Sequence, residues 1–300
     1  SVGELIGYLF ASLALTLGTF FFLYSMKYYI TILYVLVFSR NQAQEGLPTI
    51  DNPPASPAGR QLTTKSGLIP DLSGVTLSRR PFVSIHLPLY NEKRVVNRLL
   101  EAVTSMEYDN FEVIVCDDST DETKDIVEEW RNHPLIKISH RENRVGFKGA
   151  ALKQALTLMD SRTEFILVFD ADFLPFPDTI TQFLKYFQVS AGGNLQPTTY
   201  NQQPIAAVQG YQWHVLNKSE NWITRGVRTE YAGSYVVERS GTEAYQGLKQ
   251  IAGSVFMVRA DILKNPSYSW GSSITEDFEL TLKLYRDGYK VVYTPYVQAP

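Results

Sequence analysis

Apolar positions in this chain follow two regimes. From Leu5 to Phe38 they run almost unbroken, with Lys27 as the only formal charge. As a helix at 1.5 Å per residue this stretch is roughly 50 Å long, whereas a hydrocarbon core of about 30 Å takes about 20 residues. One span fits. Two would need a polar turn, and Gly18 and Ser25 do not supply one. A cleavable leader has about 7–15 apolar residues after a basic start; here the start carries Glu4 and no Lys or Arg. Basic residues follow instead, at Arg40, Arg60, Lys65, Arg79 and Arg80, which by the positive-inside rule places the remainder in the cytosol. The expectation is a transmembrane anchor over residues 1–40, with Tyr28, Tyr29 and Tyr34 near the cytosolic interface; the alternative is a long buried core helix. Residues 41–80 hold Pro48, Pro53, Pro54, Pro57 and Pro70 among Gly, Ser and Thr and read as a linker lying on the folded domain or the membrane.

Beyond Pro81 the pattern becomes short apolar runs separated by helical spacing. Val83–Leu87 stops at Pro88, and Glu92–Ser105 puts Val95, Val96, Leu99, Leu100 and Val103 on one helical face. Phe111–Cys116 reads as a strand, and a helix from Asp121 to Trp130 follows it. Leu135–Ser139, Lys148–Met159 and Phe165–Phe169 continue as strand, helix and strand. Ala206–Gly210 and Ile251–Arg259 add strands with a loose pattern between them, and Glu276–Arg286 is a further helix. This alternation predicts an α/β domain with a mostly parallel sheet, helices on both faces and ligand groups at the strands' carboxyl ends.

Composition then narrows the class. Three hundred residues hold one large domain or two modest ones, and 44% hydrophobic content excludes a disordered chain. A single cysteine, Cys116, cannot form an intramolecular disulfide, and the Cys and His positions lack zinc spacing. A net charge of −3 gives no broad basic face, so no nucleic-acid partner is expected. His86, His133, His140 and His214 lack nearby ligand or triad partners, and with Cys116 they read as structural.

Acidic residues recur where strands end: Asp117 and Asp118 after one, Asp170 and Asp172 after another. Two carboxylates separated by Ala171 can offer oxygen ligands to a hard divalent cation, although such a triplet is also an ordinary solvated turn. Thr275-Glu276-Asp277 opens a helix, where a Thr cap and first-turn acids suit the dipole; a carboxylate there could equally be a general base. The helix dipole disfavours a cation at Lys148, so this residue is either solvated or a phosphate contact.

Taken in order, Val83-Ser-Ile-His-Leu-Pro-Leu-Tyr-Asn-Glu92, Cys116-Asp-Asp-Ser-Thr-Asp121, Asp170-Ala-Asp172, Val208-Gln209, Gly253-Ser254 and Thr275-Glu-Asp277 resemble a family 2 glycosyltransferase of GT-A (Rossmann-like) fold. The branch resembled is the membrane-integrated one that includes cellulose, mannan, glucan and hyaluronan synthases. The resemblance covers Pro81 to Pro300, with Asp170-Ala-Asp172 similar to the family's DxD motif. It implies that Tyr90, Glu92 and Asp118 hold the nucleotide base and ribose, and that Lys148 contacts the diphosphate. Asp170 and Asp172 would bind Mg2+ or Mn2+ with the diphosphate, Asp172 being the direct ligand. Gly253 and Ser254 would line the sugar or acceptor pocket, Asp277 would be the general base, and Glu276 would shape the acceptor end.

The implied reaction passes a sugar from a UDP- or GDP-sugar to a growing polysaccharide at the cytosolic membrane face, by one displacement that inverts the anomeric carbon. Two alternatives are single-sugar transfer to a lipid acceptor, of ceramide or polyprenyl-phosphate type, and a non-catalytic nucleotide-sugar-binding assembly subunit. A dehydrogenase is excluded, because no Gly-x-Gly-x-x-Gly follows the first strand. The chain departs from the family pattern in two places. No Gly follows Asp117-Asp118, and Lys148-Gly149-Ala150-Ala151 stands where Lys-Ala-Gly is usual. The Gln-x-x-Arg-Trp motif of polymerising relatives would lie past Pro300, so a longer natural chain with more membrane helices is expected.

Overall fold

The computed structural model describes residues 2–46, 72, 75–190, 203–213, 221–244, 247–271 and 273–300. Most of the expected linker, His214 and the side chain of Tyr34 lie outside the described residues. The chain opens with one helix, α1 (Val2–Gly46), which runs past the expected anchor end at residue 40. The apolar window within Gly3–Leu33 has a mean hydropathy of 1.9 and is unburied, unlike a core helix, while Thr31 towards the end of the stretch is buried.

Seven strands form one sheet: β1 (Val83–Leu89), β2 (Phe111–Asp117), β3 (Ile136–His140), β4 (Phe165–Val168), β5 (Ile205–Gln212), β6 (Phe256–Arg259) and β7 (Lys290–Ala299). Their order is β3-β2-β1-β4-β6-β5-β7. Only β6 runs against its neighbours, pairing antiparallel with β4 and β5; the other pairings are parallel. The helices are α2 (Val96–Thr104), α3 (Thr123–Glu129), α4 (Phe147–Leu158), α5 (Thr179–Ser190), α6 (Trp222–Ala232), α7 (Ser240–Ala244), α8 (Ala260–Lys264) and α9 (Glu276–Arg286), with a π-helical segment (Gly233–Arg239) joining α6 to α7.

Successive strand residues point to opposite faces, and here both faces are covered. Val83, Ile85, Leu87 and Leu89 of β1 join one core with α2, α3 and α5. On the other side α4, α8 and α9 pack through Leu152, Ile262, Leu263, Leu280 and Leu284. β1 continues through Pro88 rather than stopping there. In a parallel ladder alternate residues point their backbone groups to alternate neighbours, and Pro88 faces the β4 side, where pairing ends at His86. Its missing N–H therefore breaks no bond.

α2 begins at Val96 instead of Glu92, because the Glu92 carbonyl accepts the Val95 and Val96 N–H groups in a turn. The sequence pattern predicts none of α5, the run from α6 to α7, or β7. At the end of the 41–80 segment Leu72 is buried in the first core, with Val75 and Leu77 against it. The Ser78 N–H and hydroxyl both donate to Gln188 Oε1. That end of the linker lies on the domain.

Candidate active site

β1 stands between β2 and β4, where the strand order reverses direction, and open α/β sheets take ligands in the crevice outside the carboxyl ends at such a point. Tyr90 and Glu92 leave β1 there, and Asp170 and Asp172 leave β4. Among the described residues three non-glycine positions have positive φ: Asn91 (59°), Phe147 (49°) and Val255 (55°). They adjoin Glu92, Lys148 and Ser254 respectively. A bulky aromatic or β-branched residue in the left-handed region is strained, and such strain gathers where surrounding structure holds a site in place.

Lys148, in the first turn of α4, is the cation of the cleft. Its Nζ donates to Asp170 Oδ1 at 2.5 Å and to the Gly253 carbonyl at 2.7 Å, and it stands 4.0 Å from Glu276 Oε1. Gly253 has φ of +71°, and a Cβ there would lie 3.4 Å from Asp277 Oδ2 and 3.5 Å from Lys148 Nζ. Asp277 and Lys148 thus converge on one glycine. Ser254 is buried, and its Oγ accepts the Asp170 N–H at 2.8 Å.

The 252–254 loop is pinned from β5. Gln209 accepts the Ala252 N–H and donates to the Ser254 carbonyl, and Gln212 donates to both carbonyls. α4 approaches α9 at Gly149, where a Cβ would meet the Gly271 carbonyl oxygen at 2.4 Å and Glu276 Cβ at 3.4 Å.

Negative charge dominates the cleft. Burial, then the charges of Asp172, Asp170 and Asp121, pushes the Glu92 carboxyl above its ordinary range. Burial also raises Asp170, against the downward pull of Lys148, and Asp172 and Asp277 add to the rise. Glu276 is raised the same way, by burial first, with Lys148 opposing and Asp277 and Asp170 contributing. Asp172 is exposed at the mouth.

Hard oxygen donors with surplus negative charge fit a divalent cation. Among the described residues no three His, Cys, Asp or Glu groups close into a cage.

Asp118 is set apart from this group. It is buried, and Arg141 takes both of its carboxylate oxygens, the Nε contact being 2.6 Å. The same guanidinium donates to the Val145 and Phe147 carbonyls, so Arg141 ties the end of β2 to the loop before α4. Tyr90 is 38% exposed, with the Arg144 guanidinium 3.6 Å above its ring centroid.

Two expectations need correction. His140 does have an acidic partner: its Nδ1 lies 2.8 Å from Asp117 Oδ2, brought there because β2 and β3 end side by side. The Thr275 hydroxyl does not cap α9; it pairs with Ser273 Oγ, and Asp277 Oδ1 accepts the Phe278 N–H. Cys116 is buried, and burial pushes its thiol to about 12, as suits an inert strand residue. Sequence reasoning missed Arg141, Arg144 and Gln212, whose partners lie in other elements; Gln209 entered only as a motif position.

The family model for Glycosyl transferase family 2 matches residues 84–234. The chain belongs to that family. Over 229 residues it is 30% identical to glucomannan 4-beta-mannosyltransferase 2 of Arabidopsis thaliana, covering 72% of this chain and 40% of the relative. Over 226 residues it is 30% identical to the probable glucomannan 4-beta-mannosyltransferase 9 of Oryza sativa subsp. japonica, covering 71% and 40%. The chain spans about two fifths of the length of these curated relatives.

Among solved structures it is similar to the mannosyltransferase PcManGT from Pyrobaculum calidifontis, in complex with GDP-Man and Mn2+ (TM-score 0.57, 21% identity, 91% of this chain and 65% of that one). It is also similar to S. aureus TarS 1-349 in complex with UDP (TM-score 0.53, 20% identity, 73% and 59%). These likenesses establish the GT-A fold.

Proposed function

We propose that this chain is the donor-binding and catalytic part of an inverting, metal-dependent hexosyltransferase that extends a polysaccharide at the cytosolic membrane face. The observation that carries the reading is the convergence at Gly253 of Lys148, the cation beside Asp170, and Asp277, a half-buried carboxylate. A glycosyl transfer needs both within one sugar's reach: positive charge where the diphosphate leaves, and a base where the acceptor hydroxyl arrives.

Asp172 and Asp170 would hold Mg2+ or Mn2+. The ion supplies charge neutralisation to the departing diphosphate. Lys148, hydrogen-bonded to Asp170, adds a second positive charge beside it. Asp277 takes the acceptor hydroxyl's proton as that oxygen bonds to the anomeric carbon. The carbon–oxygen bond to the diphosphate breaks, and its electron pair stays with the leaving group. One displacement with no enzyme nucleophile inverts the anomeric carbon. Glu276, buried against Lys148 and α4, fixes the height of the Asp277 turn. Tyr90 and Glu92 stand on the nucleoside side, and Asp118 acts there through Arg141. The names of the curated relatives favour a mannosyl or glucosyl cargo from a GDP-sugar and a glucomannan-type acceptor.

Membranes bearing the protein should release nucleoside diphosphate from one member of a UDP- and GDP-sugar panel, only with Mg2+ or Mn2+ present. The linkage formed should have the opposite anomeric configuration to the donor's. Retention, or equal turnover in EDTA, would overturn the reading. The apolar run of α1 and the basic residues after it support a cytosolic domain. Carbonate washing should leave the protein in the membrane, and protease on the cytosolic face should cut the Pro-rich linker and release a soluble domain. Cleavage only from the opposite face would reverse the topology.

A further inference from the structure

We infer that Arg144, laid flat on Tyr90, is the stacking floor for the donor's nucleobase and favours a purine; the inference rests on the donor site proposed above. The Arg144 guanidinium carbon is 3.6 Å from the Tyr90 ring centroid and 5.6 Å from that of Phe147. Neither an ion pair nor a hydrogen bond engages its guanidinium among the described residues. An exposed arginine usually turns its charge to water or a carboxylate. This one covers an aromatic face at the carboxyl end of β1, beside the crevice that receives the ligand.

The loop carrying it is held in place. Arg141 donates to the Val145 and Phe147 carbonyls while gripping Asp118, and Asn143 Oδ1 accepts the Val145 N–H. Phe147 is locked at positive φ. The guanidinium is therefore presented by a fixed turn on an exposed residue.

A guanidinium plane stacked on tyrosine presents a flat, weakly hydrated cation to the next flat group. A nucleobase completes a three-layer stack, and the larger, more polarisable purine stacks more strongly than a pyrimidine. Because the diphosphate end is fixed by Lys148 and Asp170, a base stacked on Arg144 sets the donor's register along the cleft. Arg144 is thus a specificity residue acting at the opposite end of the donor from the chemistry.

The test is GDP and UDP binding in Mn2+ by the full chain in detergent, comparing wild type, Arg144→Ala and Arg144→Lys. Lysine keeps the charge and loses the plane. Stacking on a base predicts that both substitutions weaken GDP by about tenfold and UDP by much less, so that the wild-type preference for GDP collapses. Near-UV circular dichroism reports whether each variant keeps its fold. Wild-type GDP affinity in Arg144→Lys would reduce the residue to a charge, and equal losses for both nucleotides would make it a diphosphate contact; either overturns the inference. A wild type that binds UDP more tightly than GDP overturns it as well. Wild type binding neither nucleotide would remove the donor site itself, a failure distinct from that of Arg144 alone.

Discussion

His86 lies in the middle of β1, fully buried, with Nε2 3.1 Å from Ser84 Oγ. Burial drives the imidazole down to about 3, so the folded protein keeps it neutral while the unfolded chain takes a proton below about pH 6.5. Between those values the unfolded state binds more protons, and stability falls with acidification by about 1.4 kcal/mol per pH unit from this group alone. Denaturant titrations from pH 6.5 to 4.5 should show that slope shrinking by about this amount in His86→Gln; an unchanged slope would mean that the ring titrates in place. Other single residues were legible to different degrees. Carboxylates at the ends of apolar strands stand out, because an ionised group beside a buried run needs a reason. Arg141 does not, since its partner Asp118 is 23 residues away and only the sheet brings them together. Nor does sequence reveal that Phe147 and Val255 have positive φ, because nothing about either residue type favours it.

Among the elements, α4 packs closely against the loop before α9 and the helix start at Gly149. A Cβ on Gly149 would press within 2.4 Å of a backbone oxygen at Gly271, so the loop before α9 must shift if the side chain is to fit. Gly149→Ala should cost about 1–3 kcal/mol, as overpacking does, and should reduce transfer more than donor binding. Gly226→Ala is the matched control: it lies within α6 with nothing within 4 Å of a Cβ, and helix propensity predicts a gain of about 0.4–1 kcal/mol. Thermal melts of both variants check the pair; equal, small shifts would mean that α4 and α9 are not tightly coupled.

The same reasoning explains which elements sequence revealed. α2 and α9 bury one stripe each and show it in their spacing. α6 buries no residue, and its apolar Trp222, Ile223 and Val227 stay exposed. β7 contains Pro295, and β5 and β7 pair with shifts in register, which breaks the alternation. α5 has legible spacing at Ile180, Phe183, Leu184 and Phe187, although the pattern prediction does not include it.

At the scale of the whole molecule, an exposed apolar helix and a sheet with an acidic cleft are joined at one place. α1 touches α7 and the π-helical segment, and Lys27 Nζ stands 3.7 Å from Glu238 Oε1. From there the chain leads to Tyr235, which packs against Tyr211 and Tyr293 of the sheet. α1 thus contacts the folded domain directly, through α7 and the π-helical segment. The order of motifs and the class of chemistry were legible in the sequence, while the approach of Lys148 and Asp277 to one glycine needed the loop around Gly253. That meeting is the central claim. Its most direct test is one measurement on Asp277→Asn: donor binding and sugar transfer in the same preparation. Asparagine keeps the shape of the side chain but cannot take a proton. Donor affinity should stay within about twofold of wild type while transfer falls by about 10²–10⁴. Transfer within about threefold of wild type, with the donor still bound, would contradict the account and leave Asp277 a helix-start acid.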